Sequence, residues 1–348
     1  MSDSNDSPPD AHRTFRLPLG PNEFGLLVAL VAVVFLTMLL DRQHAYWDDP
    51  GGCAREILRQ AVMLGIFTLG TAIVIIAGGI DLSSGSMIAF SGTVCAGIMM
   101  LLARDAVLTR QGVPTHVVVL AIAGTLVVAV LVGTLHAVLI SGLGMPPFIA
   151  TLGSLVGLRS LARVLARAIT DGSQIPASVP NFRWLSSWDS RQVAVPVPIV
   201  AFLFLAVAGY ILMSRTVLGR HLYALGGNED AARLSGIRTN LLKWFVYVVS
   251  AVLASIAGII YIGEQGVAYP ERLAVGYELN AIAAAVVGGC NLKGGAGTVV
   301  GTVLGVLFLR VVIDAVQKII DVEANLYEGM IVGIVVILAV AVSRLRRT

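Results

Sequence analysis

The sequence has 348 residues, of which 57% are hydrophobic and 13% are charged, and its formal net charge at pH 7 is +3. A soluble domain usually carries about a quarter of charged residues, so this composition excludes an ordinary soluble domain and indicates a membrane protein. The small positive charge indicates no nucleic-acid partner, because basic cytoplasmic loops account for such an excess.

The polar N-terminal residues 1–21 are predicted to form a disordered cytoplasmic tail, and residues 22–348 a single transmembrane domain. The first apolar run, residues 24–40, ends at Asp41 and Arg42, and no small-residue cleavage site follows it. It therefore predicts a retained span and not a signal peptide.

Ten apolar runs approach the roughly 20 residues that a helix needs to cross a bilayer core. They are residues 24–40, 57–77, 87–103, 116–140, 148–168, 196–213, 241–262, 273–287, 298–320 and 327–342. The strongly apolar part of the eighth, residues 281–287, covers only about 10 Å, which predicts a half-helix or a re-entrant segment. The fold class predicted is an all-α polytopic membrane helix bundle with about ten transmembrane helices, some of them broken or re-entrant.

Two glycine-rich stretches interrupt these runs: residues 78–86 read GGIDLSSGS, and residues 288–296 read GGCNLKGGA. Bare backbone is costly in hydrocarbon unless protein or water covers it, and paired interruptions point to a transport pathway. The candidates for pathway residues are therefore Asp81, Ser83, Ser84 and Asn291. An equally open alternative is that these side chains only stabilise the broken helices.

Basic residues give the orientation. The segment 214–243, which joins the sixth and seventh runs, carries five of them, and the C-terminus carries three more, so both are predicted to be cytoplasmic. The loops at 264–278 and 321–324 then fall outside. Arg159, Arg163 and Arg167 recur every four residues and share one helix face. They are interpreted as snorkelling toward the headgroups, with the lining of an external vestibule as the alternative.

Within the basic connection, Asn228 is a good N-cap, and Glu229 and Asp230 occupy the first turn that would follow it. Gly236 is a suitable C-terminal stop. A short helix on the cytoplasmic face is predicted. Since two spans can be joined without such a helix, it is a candidate docking element, although an ordinary capped loop helix remains the alternative.

Sequence motifs for catalysis are absent: nothing matches a P-loop, HExxH, GxSxG or a metal-ligand cluster. The chain is therefore predicted not to be an enzyme, to hydrolyse no ATP itself, and to need neither cofactor nor metal. His136, alone within a span, and the buried cysteines Cys95 and Cys290 are interpreted as packing residues. Asp314 follows Arg310 by four residues, so the two are expected to pair along one helix face.

Four ordered motifs resemble those of one family, the permease subunits of bacterial ATP-binding-cassette sugar importers of the ribose, xylose and galactose type. They are GGIDLSSGS, the segment 145–153 (MPPFIATLG), the loop 219–237 and the segment 276–284 (GYELNAIAA). The chain departs from the usual motifs at Ser84, Asn280, Lys293 and the pair Cys290-Asn291, which leaves the substrate open.

The resemblance implies a multi-pass protein of the bacterial inner (plasma) membrane, in which residues 22–348 form the permease domain and residues 215–240 a cytoplasmic coupling loop. It implies a coupling helix over residues 225–237 against a separate cytoplasmic ATP-binding subunit. The residues expected to serve ATPase coupling are Gly227, Asn228, Glu229, Ala232, Arg233 and Gly236. It further implies a periplasmic sugar-binding protein, a second permease subunit in a homo- or heterodimer, and surrounding membrane lipid as partners.

Three alternatives remain open from sequence. The same machinery could carry a nucleoside, a polyol or a signalling furanose, and only substrate binding distinguishes these solutes. An ion-coupled secondary carrier would transport without an ATPase, but the apolar runs lack a chain of acidic residues. A membrane-embedded enzyme or scaffold is disfavoured because no catalytic set is clustered.

Overall fold

The computed structural model describes residues 20–41, 44–183, 188, 196–320, 327–335 and 337. The predicted N-terminal tail lies outside these residues except for its last two positions, as do the C-terminal arginines. The described part is helical almost throughout, which confirms the predicted all-α bundle.

The helices, in chain order, are α1 (Pro21–Leu40), α2 (Ala45–Asp48), α3 (Pro50–Ile76), α4 (Ser84–Leu102), α5 (Arg104–Leu108), α6 (Thr115–Ala137), α7 (Pro147–Thr170), α8 (Pro180–Arg183), α9 (Val197–Arg215), α10 (Val217–Gly227), α11 (Glu229–Leu234), α12 (Thr239–Gln265), α13 (Tyr277–Val287) and α14 (Val299–Ile320). A π-helical turn, Val138–Gly142, extends α6, and residues 327–335 are also helical. Two short strands, β1 (Ile175–Pro176) and β2 (Val267–Ala268), pair antiparallel.

Eight of the described helices are long and apolar enough to span a membrane, namely α1, α3, α4, α6 with its π turn, α7, α9, α12 and α14. They coincide with eight of the ten predicted runs. The last run, residues 327–342, is described only in part. The chain is therefore a multi-pass membrane protein, as its sequence predicts.

The centre of the bundle is formed by α3 and α12, which pack against each other. Small residues allow the close approach: a Cβ on Gly258 of α12 would lie 2.5 Å from the carbonyl oxygen of Ile88 on α4. Likewise, a Cβ on Gly305 of α14 would lie 2.7 Å from the amide nitrogen of Gly288. At both positions a larger side chain would force the neighbouring segments apart, so glycine permits the close packing.

The eighth run forms α13, whose 11 residues span about 16 Å at 1.5 Å per residue. It is a half-helix, which confirms that alternative for the weakest run. However, the connection before it is not simply an external loop. Leu273, Ala274 and Glu278 are buried, and the Ala274 carbonyl lies so close to Gly85 on α4 that a Cβ there would approach it to 2.7 Å. Part of residues 264–278 therefore packs into the bundle instead of forming a free loop, and their location on the outer side of the membrane stays a prediction.

The side chain of Arg159 supplies hydrogen-bond donors to the backbone carbonyl groups of this re-entrant segment. Its guanidinium group donates hydrogen bonds to the carbonyl oxygens of Pro270 and Leu273, both at 2.9 Å, and of Ala274 at 3.2 Å. Carbonyl groups away from water need such donors. The interpretation of Arg159 as a snorkelling residue is therefore wrong, since it points to a neighbouring segment.

The expected pairing of Arg310 with Asp314 is also wrong. The Arg310 guanidinium forms an ion pair with Glu328 at 3.0 Å, and the Asp314 carboxylate accepts a hydrogen bond of 2.7 Å from the hydroxyl of Tyr46. Both side chains thus join α14 to other segments, because partners from neighbouring elements are nearer than the next helical turn.

Candidate functional site

The two glycine-rich interruptions meet at one end of the bundle, although 210 positions separate their first residues. We call residues 77–83 the first break and residues 288–298 the second break. The amide of Gly295 in the second break donates a hydrogen bond of 2.9 Å to the carbonyl oxygen of Ile76, the last residue of α3. Gly78 adopts a positive φ of 85°, which lets the chain turn immediately after that contact. The breaks therefore form one joined structure.

A third segment, α10, packs against both breaks at the same place. Gly226, near its end, lies so close that a Cβ would overlap the carbonyl oxygen of Ile76 and approach the amide nitrogen of Gly295 to 2.6 Å. The next residue, Gly227, has no atom within 4 Å of a Cβ position. Only glycine fits at position 226, because its backbone is wedged between the two breaks.

Tyr223 provides a second link between α10 and the second break. Its hydroxyl donates a hydrogen bond of 2.8 Å to the carbonyl oxygen of Gly297. Burial, and then the nearby Cys290 thiol, raise the pKa of Tyr223, so this hydroxyl stays protonated and remains a donor. One helix turn of α10 thus holds both a close backbone contact and a side-chain hydrogen bond to the breaks.

The short helix α11 follows directly. Asn228 has extended backbone angles, and its side-chain oxygen accepts a hydrogen bond of 2.9 Å from the amide of Ala231, which confirms the predicted N-cap. Gly236 has a positive φ of 81° just beyond the end of the helix, as a C-terminal stop requires. The positions of both ends of this helix, predicted from Asn228 and Gly236, are thus confirmed.

The extent that the resemblance implied for this helix, residues 225–237, is wrong. Leu225, Gly226 and Gly227 belong to α10, and α11 contains only Glu229–Leu234. The extended conformation at Asn228 separates the two helices because an N-cap residue cannot continue the preceding helix. The pair α10 and α11 is therefore a bent unit, with its corner at Asn228.

The surface of α11 combines paired charges with one exposed apolar side chain. Glu229 forms an ion pair of 2.6 Å with Lys243 at the start of α12, and Arg233 pairs with Asp230. Leu234, at the end of the helix, is 89% exposed, more than any other large hydrophobic residue in the described part of the chain. Of the other predicted coupling residues, Ala232 is buried.

Asp81 is the polar centre of the first break and is 2% exposed. One carboxylate oxygen accepts hydrogen bonds from the amide and the hydroxyl of Ser83, at 2.8 and 2.6 Å. The other accepts a hydrogen bond of 2.6 Å from the hydroxyl of Ser250 on α12. These contacts hold the break in shape and anchor it to the central helix, as the stabilising alternative predicts.

The other two pathway candidates differ from each other. Ser84 is buried at the start of α4, and its hydroxyl has no hydrogen-bond partner among the described residues. Asn291 stabilises its own turn, since its side-chain amide donates to the carbonyl oxygen of Gly294 at 3.1 Å and its backbone amide to that of Ala296 at 2.9 Å. Whether any of the four candidates lines a pathway stays a prediction.

We predict that the Asp81–Ser250 contact contributes to stability as a pair. In a double-mutant cycle of Asp81→Ala and Ser250→Ala, we expect a coupling free energy of about 1.5–3 kcal/mol, typical of a hydrogen bond to a charged group. Unfolding of the purified protein in detergent measures it. Ser255→Ala is the matched control, because the Ser255 hydroxyl lies buried on the same helix without a partner. Equal coupling of Asp81 to both serines would contradict the assignment.

Comparison with known proteins gives the family. The family model described as "Branched-chain amino acid transport system / permease component" matches residues 54–340, which is most of the chain. The chain belongs to this permease family. No solved structure matches it.

The curated relatives agree with the permease assignment. The ribose import permease protein RbsC of Escherichia coli (strain K12) is 35% identical over 289 residues, which are 82% of this chain and 84% of the relative. RbsC of Haemophilus influenzae is 36% identical over 315 residues, 90% of each chain. The D-allose transport system permease protein AlsC of Escherichia coli (strain K12) is 30% identical over 333 residues, 96% of this chain and 95% of the relative.

The resemblance to importer permeases of the ribose type, first seen in four motifs, is thereby confirmed for the chain as a whole, and with it the location in the bacterial inner membrane. Three features of the permease site escaped the sequence analysis. Gly226 was one glycine among 37 in the chain, Leu234 was only a helix former, and Ser250 was one small polar residue within a span. No local pattern distinguishes them, because Gly226 and Ser250 act through neighbours that are distant in sequence and the exposure of Leu234 depends on how the helices pack.

Proposed function

We propose that this chain is the membrane-spanning subunit of an ATP-driven importer that translocates a sugar delivered by a periplasmic binding protein. A separate cytoplasmic ATP-binding subunit would supply the energy. The sugar class is supported by the relatives, whose names specify ribose and D-allose import. Two permease subunits, identical or different, would enclose the passage, and the chain would carry no ATP site of its own.

The observation that carries this proposal is the junction of α10 with both breaks. Gly226 lies against Ile76 and Gly295, so a displacement of α10 would displace the end of α3 and the second break together. Packed elements transmit displacement in this way because close-packed interiors are not continuously deformable. The α10–α11 pair would transmit the movement of the ATP-binding subunit to the permease.

The α10–α11 pair needs a surface to which the ATP-binding subunit can bind. Leu234 is an almost fully exposed leucine on a connection whose basic residues indicate the cytoplasmic side. Transfer of such a leucine from water into an apolar pocket of a partner would stabilise the complex by about 1.5–3 kcal/mol. The Glu229–Lys243 ion pair ties α11 to α12, so that force on α11 also reaches the central helix.

We predict that reconstitution separates this function from that of an ion-coupled carrier. The permease alone in proteoliposomes should show no concentrative uptake of radiolabelled D-ribose or D-allose under an imposed proton or sodium gradient. Addition of the ATP-binding subunit, the binding protein and ATP should produce uptake, and a non-hydrolysable ATP analogue should not. Gradient-driven accumulation by this chain alone would refute the proposal.

A further inference from the structure

A polar cavity lies within the bundle, near the end opposite to the α10–α11 pair. It has a volume of about 200 Å³ and lies between α3, the last turns of α12, the start of α13, α14 and the helical residues 327–335. If α10 and α11 face the cytoplasm, this cavity lies toward the outside. The cavity has an open and a buried side: the side chains of Glu56 and Arg59 are 46% and 40% exposed, whereas Arg310 is 5% exposed.

The charged groups of the cavity are already paired with one another. Arg59 forms an ion pair with Glu264 and another, of 3.3 Å, with Glu56, and Arg310 forms one of 3.0 Å with Glu328. The lining holds three carboxylates and two guanidinium groups, so it has no excess positive charge that could bind an anion. In the part of the chain that the structure describes, no group of three His, Cys, Asp or Glu side chains could hold a metal ion. The charge pattern therefore argues against an anionic ligand and is compatible with a neutral one.

One buried donor in the cavity lacks an acceptor. Arg310 is 5% exposed, and its Nε has no hydrogen-bond partner among the described residues, although its terminal nitrogen contacts Glu328. A buried N–H group without an acceptor is costly and uncommon in folded proteins. A ligand oxygen placed in the cavity would satisfy it.

The remaining lining groups suit a ligand with many hydroxyls. Gln60 and Gln265 offer amide donors and acceptors, and Tyr261 offers a phenol that is hydrogen-bonded to the hydroxyl of Tyr277 at 2.6 Å. Each ligand hydroxyl both donates and accepts, so mixed carboxylates, guanidinium groups and amides can satisfy it in both directions. Aromatic rings and Met63 provide apolar surface for C–H groups.

From this geometry we propose that the cavity is a binding site for a neutral monosaccharide, located within a single permease protomer. The choice of ligand class rests on the proposed function, whereas the existence of a site for a hydroxyl-rich molecule rests on the cavity itself. The membrane subunit would then contribute its own selectivity, in addition to that of a soluble binding protein.

The test uses the purified permease chain in nanodiscs, without the ATP-binding subunit or the binding protein. Isothermal titration calorimetry with D-ribose, D-allose, D-fructose, D-xylose and D-galactose should show binding of at least one sugar at millimolar concentration. Gln60→Leu and Tyr261→Phe should each weaken that binding about tenfold, as expected for one lost hydrogen bond. Neither residue belongs to an ion pair, so both variants are expected to fold.

Gln317→Leu is the matched control, because Gln317 is an exposed glutamine on α14 outside the cavity. It should leave the affinity unchanged. Absence of binding for all five sugars, equal effects of the two Gln→Leu variants, or binding of sodium phosphate in place of a sugar would each overturn the proposal. If the complete importer still transports sugar while the isolated chain binds none, the proposed function stands and the cavity proposal falls.

Discussion

Leu234→Asp is expected to abolish sugar uptake, because the ATP-binding subunit would no longer dock on α11. The side chain is 89% exposed in the isolated chain, so the substitution should not disturb folding. In the assembled importer, however, it would place an unpaired carboxylate in an apolar pocket. Loss of the burial of a leucine costs about 1.5–3 kcal/mol, or about 10- to 150-fold in affinity, and a buried charge adds to this loss.

Co-purification of the ATP-binding subunit with the tagged permease measures the effect directly, and uptake into proteoliposomes measures its consequence. Leu108→Asp is the matched control: Leu108 is also exposed, but it ends α5, near the opposite end of the bundle. It should leave co-purification unchanged. Leu234 is a sharper target than Glu229, whose replacement would also remove the ion pair with Lys243. Normal co-purification of Leu234→Asp would exclude the docking role of this side chain.

Gly226→Ala is expected to abolish uptake by a different route, leaving the ATP-binding subunit attached. A Cβ at this position would overlap the carbonyl oxygen of Ile76, so α10 must move away from the two breaks. Overpacking of this kind costs about 1–3 kcal/mol and shifts backbone. The surface of α11 stays intact, so the ATP-binding subunit should still bind and co-purify. Its movement would no longer reach the two breaks, so transport-stimulated ATP hydrolysis and sugar uptake should be lost.

Gly157→Ala provides the control, because a Cβ at Gly157, within α7 and outside the junction, would meet no atom within 4 Å. Uptake by this variant should equal that of the wild type. Tyr223→Phe is a milder change to the same junction, removing only the hydrogen bond to Gly297, and it should reduce uptake several-fold in a fully folded protein. If Gly226→Ala and Gly157→Ala behave alike, the junction does not transmit the motion of the α10–α11 pair.

Much of this permease could be predicted from its sequence because the relevant signals are local. Apolar runs of the required length located eight spanning helices. Asn228 and Gly236 located the ends of α11, since capping depends on residues only a few positions apart. The interruption at residues 78–86 also appeared correctly as a break between α3 and α4.

Errors arose wherever the answer depended on a distant neighbour. Arg310 has Asp314 on the next helical turn, yet it pairs with Glu328, and Asp314 binds Tyr46, which is 268 positions away. Arg159 was assigned to the membrane surface, but it binds the carbonyl groups of a re-entrant segment. Neither partner could be found from helix periodicity, which relates only residues of the same helix.

By itself the sequence determined where this protein crosses the membrane, where its helices break and where the short capped helix lies. The tertiary structure alone decided that both breaks and α10 meet at Gly226, and that polar groups from five helical segments line one cavity. The reason is physical. In a spanning helix nearly every face is apolar, so hydrophobicity does not indicate which face packs against which neighbour, and the close approach of glycines and the pairing of buried charges make that choice.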